Sequence, residues 1–357
     1  MKKIINIKRI NKKSTIYVQE GSIIKHLKKE TNTNNKIFIV VDSKIKKIID
    51  KVKLNKNIYV IKIKGSENIK SIDSYWKTIL MLLKLKVDRN STLIAIGGGT
   101  VGDLVGFIAS TVLRGVRFIL MPTTLLSQVD SSIGGKNGIN TSFGKNLVGT
   151  FLQPDKVVID PSVLKSLSLR EIKSGYAEIL KYALINNKSF YFWLNKNYDK
   201  ILNLNKPFIN KAITKSIYIK SKYIQLDEKE KLINSSSRAI LNFGHTFGHA
   251  LETIHMSKGY KKITHGEAIS IGMALALKIS YKMKKISNLE YRNIISHLEK
   301  VGLPHSDKLI YNKKIMTLIM SDKKNSNNMI NLILLKKIGR AYFERGLNIK
   351  KIKIFLN

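Results

Sequence analysis

The stretch STLIAIGGGTVGDLVGFIAS, residues 91–110, joins an apolar run to a glycine-rich turn and then to a second apolar segment. Residues 91–96 have the length and composition of a buried strand, and glycines follow them directly. Gly97, Gly99 and Gly102 have the spacing GxGxxG at the start of a predicted helix. Such glycines let the backbone approach a pyrophosphate, which the positive helix end stabilises. The alternative is a tight strand-to-helix turn without a ligand, because GxGxxG alone is a weak signal.

Strand and helix signals alternate around this stretch. Further strands are predicted at residues 14–19, 36–42, 57–63 and 117–122, with a helix at 71–86. This alternation indicates βαβ units and a parallel sheet.

Helical periodicity replaces the β pattern from about residue 165 onward. The predicted helices are 170–185, 206–226, 238–254 and 266–285, and residues 331–343 have the pattern of a late hairpin or strand. We therefore predict an α/β protein with a Rossmann-like α/β domain at residues 1–165 and an all-α metal-binding domain at residues 166–357.

The composition limits the kind of protein. A chain of 357 residues with 43% hydrophobic residues is expected to form two globular domains. It contains no cysteine, so any metal must be bound by His, Asp or Glu. The sequence shows no apolar run of membrane-spanning length and no signal-peptide pattern, and we expect a cytoplasmic protein without membrane partners.

The net charge of +40 comes from 64 Lys and Arg residues against 24 Asp and Glu residues. A nucleic-acid-binding protein is therefore one alternative. However, the basic residues are scattered without a polybasic tail, and only nine are arginine. We attribute the excess to codon bias, since Lys, Ile and Asn belong to A+T-rich codons, and expect no specific nucleic-acid partner. In this background an arginine, histidine or acid is more informative than a lysine.

A histidine cluster in the second half suggests a metal. His245 and His249, in NFGHTFGHALE (242–252), lie four residues apart on one helix face, and His265 follows in THGEA. Glu178 lies in the apolar segment GYAEILKYALI, with Lys181 three residues later. Two or three His with one Glu suit a catalytic zinc site. Spacing alone favours His245 and His249 as ligands and does not say which His is spare; buried structural histidines and a surface ion pair are the alternative.

The polar residues of the first half are compatible with a cofactor site. No acid occurs between Asp103 and Asp130, where a ribose-binding acid is expected, and Asp42 at an earlier strand end could serve instead if the strand order differs from the usual one. The segment 121–140 is predicted to be a polar loop, either a glycine-rich surface loop or the wall of a cleft.

Several motifs together resemble the 3-dehydroquinate synthase family. They are GGGTVGDLVGFIAS, RGVRFILMPTTLLSQVDSSIGGKNGIN, GKNLVGTFLQP, GYAEILKYALI, RAILNFGHTFGHALE and HGEAISIGMALA, and the resemblance runs from about residue 14 to 345. It implies a lyase of the shikimate pathway, and hence of aromatic amino acid biosynthesis. Such an enzyme converts 3-deoxy-D-arabino-heptulosonate 7-phosphate (DAHP) to 3-dehydroquinate and phosphate. It further implies NAD, Zn²⁺ or Co²⁺, a homodimer and an active site in the cleft between the two domains.

The resemblance also assigns roles to residues. The implied metal ligands are Glu178, His245 and His265. The implied catalytic residues are His249, Lys136, Lys181, Asp130, Asn146, Arg238 and Asn242. The implied NAD-binding residues are Asp42, Glu67, Lys70, Gly98, Gly99, Asp103, Thr123, Thr124, Asp130, Lys136 and Lys145. The implied substrate-binding residues are Arg114, Lys136, Lys145, Asn146, Lys181, Lys220, Arg238, Asn242, His249 and Lys324, with Arg114 reaching the partner subunit's site.

The sequence departs from the family pattern in the segment DEKEKLINSSSR, 227–238, which is longer and lacks a glycine before Arg238. Two other enzyme classes remain alternatives. A sibling sugar-phosphate cyclase would share nearly all the motifs, whereas a metal-dependent polyol dehydrogenase would share only the glycine loop and the metal site.

Overall fold

The structure, a computed structural model, describes residues 2–8, 13–232, 234, 237–256, 262–320 and 329–356. The chain divides into two units, Met1–Leu167 and Ser168–Asn357. The first is a mixed α/β unit with a mostly parallel sheet, and the second is helical apart from one β-hairpin. The fold class is α/β, as the alternating pattern predicted.

The first unit contains nine strands and three α-helices among its described residues. The strands are β1 (Lys3–Lys8), β2 (Lys13–Val18), β3 (Ile37–Asp42), β4 (Ile58–Ile63), β5 (Thr92–Gly97), β6 (Arg117–Pro122), β7 (Lys136–Thr141), β8 (Gly144–Phe151) and β9 (Lys156–Ile159). The helices are α1 (Ser22–Glu30), α2 (Ile72–Lys84) and α3 (Gly99–Thr111).

Seven of these strands form one sheet in the order β1-β2-β9-β6-β5-β3-β4, in which only the β1–β2 pair is antiparallel. Both faces of the sheet are buried. Along β3, Phe38 and Val40 pack with α2 and α3, whereas Ile37, Ile39 and Val41 pack on the α1 side. Burial on both faces explains why the central strands are continuous apolar runs rather than alternating ones.

The parallel order brings several loops to one edge of the sheet. β3, which ends in Asp42, pairs directly with β5, which ends at the glycine loop. Asp42 therefore lies on the strand next to the glycine loop, although it comes before that loop in the sequence. The carboxyl edge of a parallel sheet is where ligands bind in open α/β folds.

The predicted polar loop at residues 121–140 is wrong in part. Ser127–Ser131 form a single π-helical turn, and Lys136–Thr141 form β7, which pairs with β8 in a two-stranded antiparallel hairpin. At Gly138 and Gly149 an added Cβ would lie 2.6 Å and 2.1 Å from backbone oxygens of the opposite strand. The glycines that suggested a loop therefore permit close strand pairing.

The second unit consists of eight α-helices and one hairpin among its described residues. The helices are α4 (Leu169–Asn186), α5 (Lys188–Leu202), α6 (Phe208–Leu226), α7 (His245–His255), α8 (His265–Lys282), α9 (Asn288–Val301), α10 (Lys313–Met320) and α11 (Ile349–Leu356). The hairpin strands are β10 (Met329–Lys337) and β11 (Arg340–Asn348), so the expectation of an all-α second half is corrected by this late hairpin. Across both units, no described helix combines the length and apolarity needed to cross a membrane.

The helix predicted at 238–254 is two elements. A 3₁₀ turn spans Arg238–Asn242, and α7 begins only at His245. Gly244 separates them with φ of 80°, a left-handed conformation that favours glycine. The break places His245 at the first position of α7.

Glycines also set how closely α7 and α8 pack. A Cβ added at Gly272 of α8 would lie 1.9 Å from the Gly244 carbonyl oxygen, and one added at Gly248 of α7 would lie 2.7 Å from the Ile269 side chain. At Gly266 an added Cβ would lie 2.2 Å from the Ser174 carbonyl oxygen of α4. The three helices can therefore approach each other at backbone contact distance because these positions lack side chains.

We predict that Gly272→Ala destabilises the protein although alanine is the better helix former. The propensity gain of about 0.5–1 kcal/mol is smaller than the overpacking cost of about 1–3 kcal/mol, since the new methyl group meets a backbone carbonyl. Urea unfolding of the purified variant measures the difference. Ala274→Gly in the same helix gives an upper limit for the propensity effect, since it also removes a buried methyl group. An increase in unfolding free energy for Gly272→Ala would contradict the packing described above.

Candidate active site

Three helices of the second unit bring Glu178, His245 and His265 together. Glu178 lies in the middle of α4, and the two histidines are the first residues of α7 and α8. The Nε2 atoms of His245 and His265 lie 3.6 Å and 3.4 Å from Glu178 Oε1. One donor atom from each of the three residues lies within 4.8 Å of the other two. This is the geometry of a group that could hold one metal ion.

The Glu178 carboxylate is fully buried. It forms an ion pair with Lys181 Nζ one turn along α4, and neither of its oxygens accepts a hydrogen bond from the described residues. The Lys181 ammonium offsets part of the cost of burying this charge, and Oε1 faces the two imidazoles. The donor set of one carboxylate and two imidazoles matches that of catalytic zinc sites with an open fourth position.

His265 contacts acids on both sides of its ring. Its Nδ1 lies 3.4 Å from Glu252 Oε2, on the side opposite to Glu178. Although burial alone lowers the pKa of His265, the Glu252 and Glu178 carboxylates outweigh it and raise the pKa to about 10. A metal ion must therefore compete with a proton for this imidazole.

His249 lies one turn after His245, and its side chain is exposed. Its ring centroid is 5.1 Å from that of His245 and 6.3 Å from that of His265. His249 also belongs to a second group that could hold a metal, with Glu252 and His265. Both the ligand set implied by the family and a role for His249 in metal binding are therefore compatible with the geometry.

The other described residues expected in the second unit lie on α6 and in the 3₁₀ turn before α7. Lys220, on α6, and Arg238 are buried. The Arg238 guanidinium donates to the Glu228 carbonyl oxygen at 2.7 Å, and the Asn242 amide donates to Glu230 Oε1 at 2.7 Å. Glu230, in the longer segment before Arg238, therefore lies beside Asn242. Lys324 lies outside the described residues.

The glycine loop of the first unit is packed tightly against the segment that follows β6. A Cβ added at Gly98 would lie 3.1 Å from the Thr124 side chain, and one added at Gly99 would lie 2.7 Å from Ser131 Oγ. The buried Thr123 donates its backbone N–H to the Gly97 carbonyl oxygen at 2.9 Å. The N-terminus of α3 and the two threonines expected to bind NAD therefore lie side by side.

A second group of expected residues surrounds Lys70. The buried Lys70 ammonium lies 2.7 Å from Asp103 Oδ2 and also contacts the Asn146 side-chain oxygen. Burial raises the pKa of Asp103, and the Lys70 charge opposes that rise. Glu67 lies 4.0 Å from the same ammonium. Four residues from the glycine helix, the 67–70 turn and the β7–β8 hairpin are thus connected.

The other expected residues of the first unit are placed as follows. Asp42 accepts hydrogen bonds from the Lys44 and Gly65 backbone N–H groups at 3.1 Å and 3.3 Å. Asp130 lies in the π-helical turn, Lys136 begins β7 with an exposed side chain, and Lys145 is half-buried in β8. Arg114 is exposed and follows the C-terminal end of α3, whereas the glycine loop precedes the N-terminal end.

Sequence reasoning missed two polar residues that connect the expected ones. Asn140 donates to Glu67 Oε1 at 2.8 Å and accepts from the Asn146 backbone N–H at 3.1 Å. Glu252 contacts His265, as described above. A signal for Glu252 was present: it is seven residues after His245, so it lies on the same face of α7. No local signal marked Asn140, because its contacts depend on the pairing of the hairpin.

The fold is similar to those of two solved synthases. The 2-epi-5-epi-valiolone synthase from Streptomyces hygroscopicus, solved with NAD⁺ and Zn²⁺, superposes with a TM-score of 0.86 at 21% identity, covering 99% of this chain and 98% of that one. A 2-deoxy-scyllo-inosose synthase solved with carbaglucose-6-phosphate, NAD⁺ and Co²⁺ gives a TM-score of 0.81 at 23% identity, covering 99% of each chain.

Comparison of sequences identifies the family. The family model for the 3-dehydroquinate synthase N-terminal region matches residues 60–174, and the model for the C-terminal region matches residues 175–325. A 3-dehydroquinate synthase from Pelagibacter ubique is 43% identical over 341 residues, which cover 93% of this chain and 91% of that protein. The chain belongs to the 3-dehydroquinate synthase family.

We predict that Lys70→Met destabilises the protein by about 1–3 kcal/mol, because Asp103 loses the cation that compensates its burial. Replacing Asp103 by Asn in the same chain should recover part of that loss. The deficit should grow with pH above about 4, since an acid whose folded-state pKa exceeds its unfolded value binds more protons when folded. Urea unfolding at pH 5 and pH 7 measures both effects; equal stability of single and double variants would contradict a charge-based cause.

Proposed function

We propose that this chain is a lyase that converts DAHP to 3-dehydroquinate and phosphate, within the shikimate pathway. The observation that carries the proposal is the buried Glu178, which His245 and His265 contact in a chain of this family. The expected cytoplasmic location stays a prediction.

The residues present fit a divalent metal ion. We assign Glu178, His245 and His265 as its ligands, since their donor atoms converge on one point and the carboxylate lacks hydrogen bonds. A bound Zn²⁺ or Co²⁺ would supply Lewis-acid stabilisation to substrate hydroxyl groups there. The cyclase structures solved with Zn²⁺ and Co²⁺ support this choice of metal.

The residues of the first unit fit NAD. The open N-terminus of α3 at Gly98 and Gly99 offers backbone N–H groups to a pyrophosphate, and Asp42 ends the neighbouring strand as a ribose-binding acid would. NAD, when bound, would accept hydride from the C5 carbon of the substrate and return it after phosphate has left. We assign the other residues expected to bind NAD to the same site.

The substrate carries a carboxylate and a phosphate, so several cations must accompany it. We assign this role to Lys136, Lys145, Lys181, Lys220 and Arg238. Asn146 and Asn242 would hydrogen-bond substrate oxygens, Asp130 would help orient the substrate, and Lys324 remains a candidate from sequence alone. With NAD bound, oxidation at C5 would make the C6 proton acidic, and loss of that proton would expel phosphate. Once NAD had returned the hydride, the ring would open and close as a carbocycle by an intramolecular aldol addition.

We assign proton transfer or substrate orientation to His249. It is exposed one turn from His245, and a neutral imidazole can donate or accept a proton near pH 7. The chain's own groups thus mostly position the substrate and compensate its charge.

A homodimer is part of the proposal. α2 presents an exposed apolar row of Ile72, Trp76, Leu80 and Leu83, which are 59%, 55%, 48% and 46% exposed. Arg114 projects from a segment in which three successive residues have positive φ, and a second subunit would explain that conformation. Sedimentation equilibrium should give twice the mass of the chain; a monomer at micromolar concentration would contradict the dimer and the proposed role of Arg114 in the partner subunit's site.

The decisive experiment is incubation of the purified protein with DAHP, NAD and Zn²⁺. We predict that turnover requires NAD yet leaves its amount unchanged, with one phosphate released per carbocycle. NADH absorbance and phosphate release measured together test this. Accumulation of NADH in step with product would indicate a polyol dehydrogenase, and phosphate release from a different sugar phosphate only would indicate a sibling cyclase.

We predict that His245→Ala loses both zinc and activity, whereas His249→Ala loses activity but keeps zinc. Loss of His245 leaves two protein ligands, so zinc retention and activity should disappear together. Loss of His249 should leave zinc near one per chain but reduce turnover by roughly 10²–10⁴-fold. Metal analysis and phosphate release on both variants measure this.

The same pair of variants distinguishes the assignments. If zinc is lost from the His249 variant and kept by the His245 variant, the ligand assignment is reversed. Loss of zinc from both variants would instead favour the His245 and His249 pair that spacing alone suggested.

A further inference from the structure

Glu252 contacts the side of His265 that faces away from the proposed metal. The His265 Nε2 lies 3.4 Å from Glu178 Oε1, whereas its Nδ1 lies 3.4 Å from Glu252 Oε2. The Glu252 side chain is only 11% exposed, on the face of α7 that also carries His245 and His249. The imidazole is therefore held between two carboxylates that have different surroundings.

An imidazole that binds a metal through Nε2 carries its proton on Nδ1. A carboxylate that accepts this proton in a hydrogen bond fixes the tautomer, orients the ring and makes the other nitrogen a better ligand. We propose that Glu252 is a positioning residue that holds His265 with its Nε2 lone pair directed at Glu178 and His245. This inference rests on the metal centre of the proposed function.

The helix geometry supports this role. His265 is the first residue of α8, where the capping box of Thr264 and Glu267 fixes the backbone but leaves rotation of the imidazole free. α7 packs against α8 through Gly248 and Gly272, and Glu252 is one turn beyond Gly248. The same close packing that brings the histidines together thus also places a carboxylate behind His265.

A rival arrangement uses the same residues. Glu252, His249 and His265 also form a group with donor atoms close enough for one metal ion. In that arrangement Glu252 and His249 would be ligands themselves. The two arrangements differ in the effect of removing His249, because His249 takes no part in holding the ring of His265 in the first.

The experiment measures the Zn²⁺ dissociation constant of the full chain by competition with a chelator, in the absence of substrate. We expect Glu252→Ala to weaken binding by about 10–100-fold while one zinc per chain is still bound at saturation. Glu252→Gln keeps the volume and an acceptor oxygen, so it should weaken binding less. His249→Ala should leave the dissociation constant within about twofold of the wild-type value, as expected for a group that does not bind the metal.

Glu267→Gln is the control for lost negative charge near the metal. Glu267 is two residues after His265, and glutamine can still complete the capping box with Thr264. The control should retain wild-type affinity for Zn²⁺.

Imidazole ¹H–¹⁵N spectra give a second readout. In the zinc-loaded protein, His265 should carry its proton on Nδ1, and the signal of this proton should be lost by rapid exchange in Glu252→Ala.

The outcomes separate this inference from the proposed function. If the wild-type chain binds no zinc, the metal centre itself is wrong. If the wild-type chain binds zinc and the Glu252 variants bind it equally well, only the positioning role is wrong. Equal weakening by Glu267→Gln would show a general effect of charge, and equal weakening by His249→Ala would favour the rival arrangement; either result would overturn the proposal.

Discussion

The structure of the second unit depends on the burial of one negative charge. Glu178 lies in the middle of α4 with no exposed surface, where a charged carboxylate must be compensated by cations or polar groups. Lys181 on the same helix and the imidazoles of His245 and His265 surround it. α4 passes through this point and α7 and α8 begin there, which forms the group of side chains that we propose as the ligands of a divalent cation.

The close approach of the helices explains the composition of the histidine motif. Each of His245 and His249 follows a glycine, and those glycines, with Gly272 of α8, allow the backbones of α7 and α8 to touch. A side chain at any of these positions would move the histidines away from Glu178. In the repeated glycine–histidine pair, the glycines allow the helices to pack closely and the histidines provide the side chains near Glu178. The helical spacing of the histidines alone does not reveal the role of the glycines.

The sequence predicted what depends on local pattern and not what depends on pairing. The alternation of strands and helices was sufficient for the α/β fold, and the apolar run before Gly97 correctly marked a strand buried on both faces. The β7–β8 hairpin was missed because glycines that permit close strands look like those of a loop. Within the candidate site, helical periodicity predicted that His245 and His249 share one face of α7. It could not predict that α4 and α8 approach that face, because their position depends on tertiary structure. Periodicity also places Glu252 on that face, but its contact with His265, like the contacts of Asn140, depends on tertiary packing.

Burial separates the informative lysines from the many others. Of the described lysine side chains, three are buried, Lys70, Lys181 and Lys220, and of the described arginines only Arg238 is. A lysine or arginine is almost never buried unless it is paired, so each position needs a specific anion, in the protein or in a ligand. Lys70 and Lys181 have Asp103 and Glu178. All four belong to the residues that we assign to cofactor or substrate. The net charge of +40 thus conceals a small set of cations whose placement is decided by the fold, while the exposed majority remains free to vary with composition.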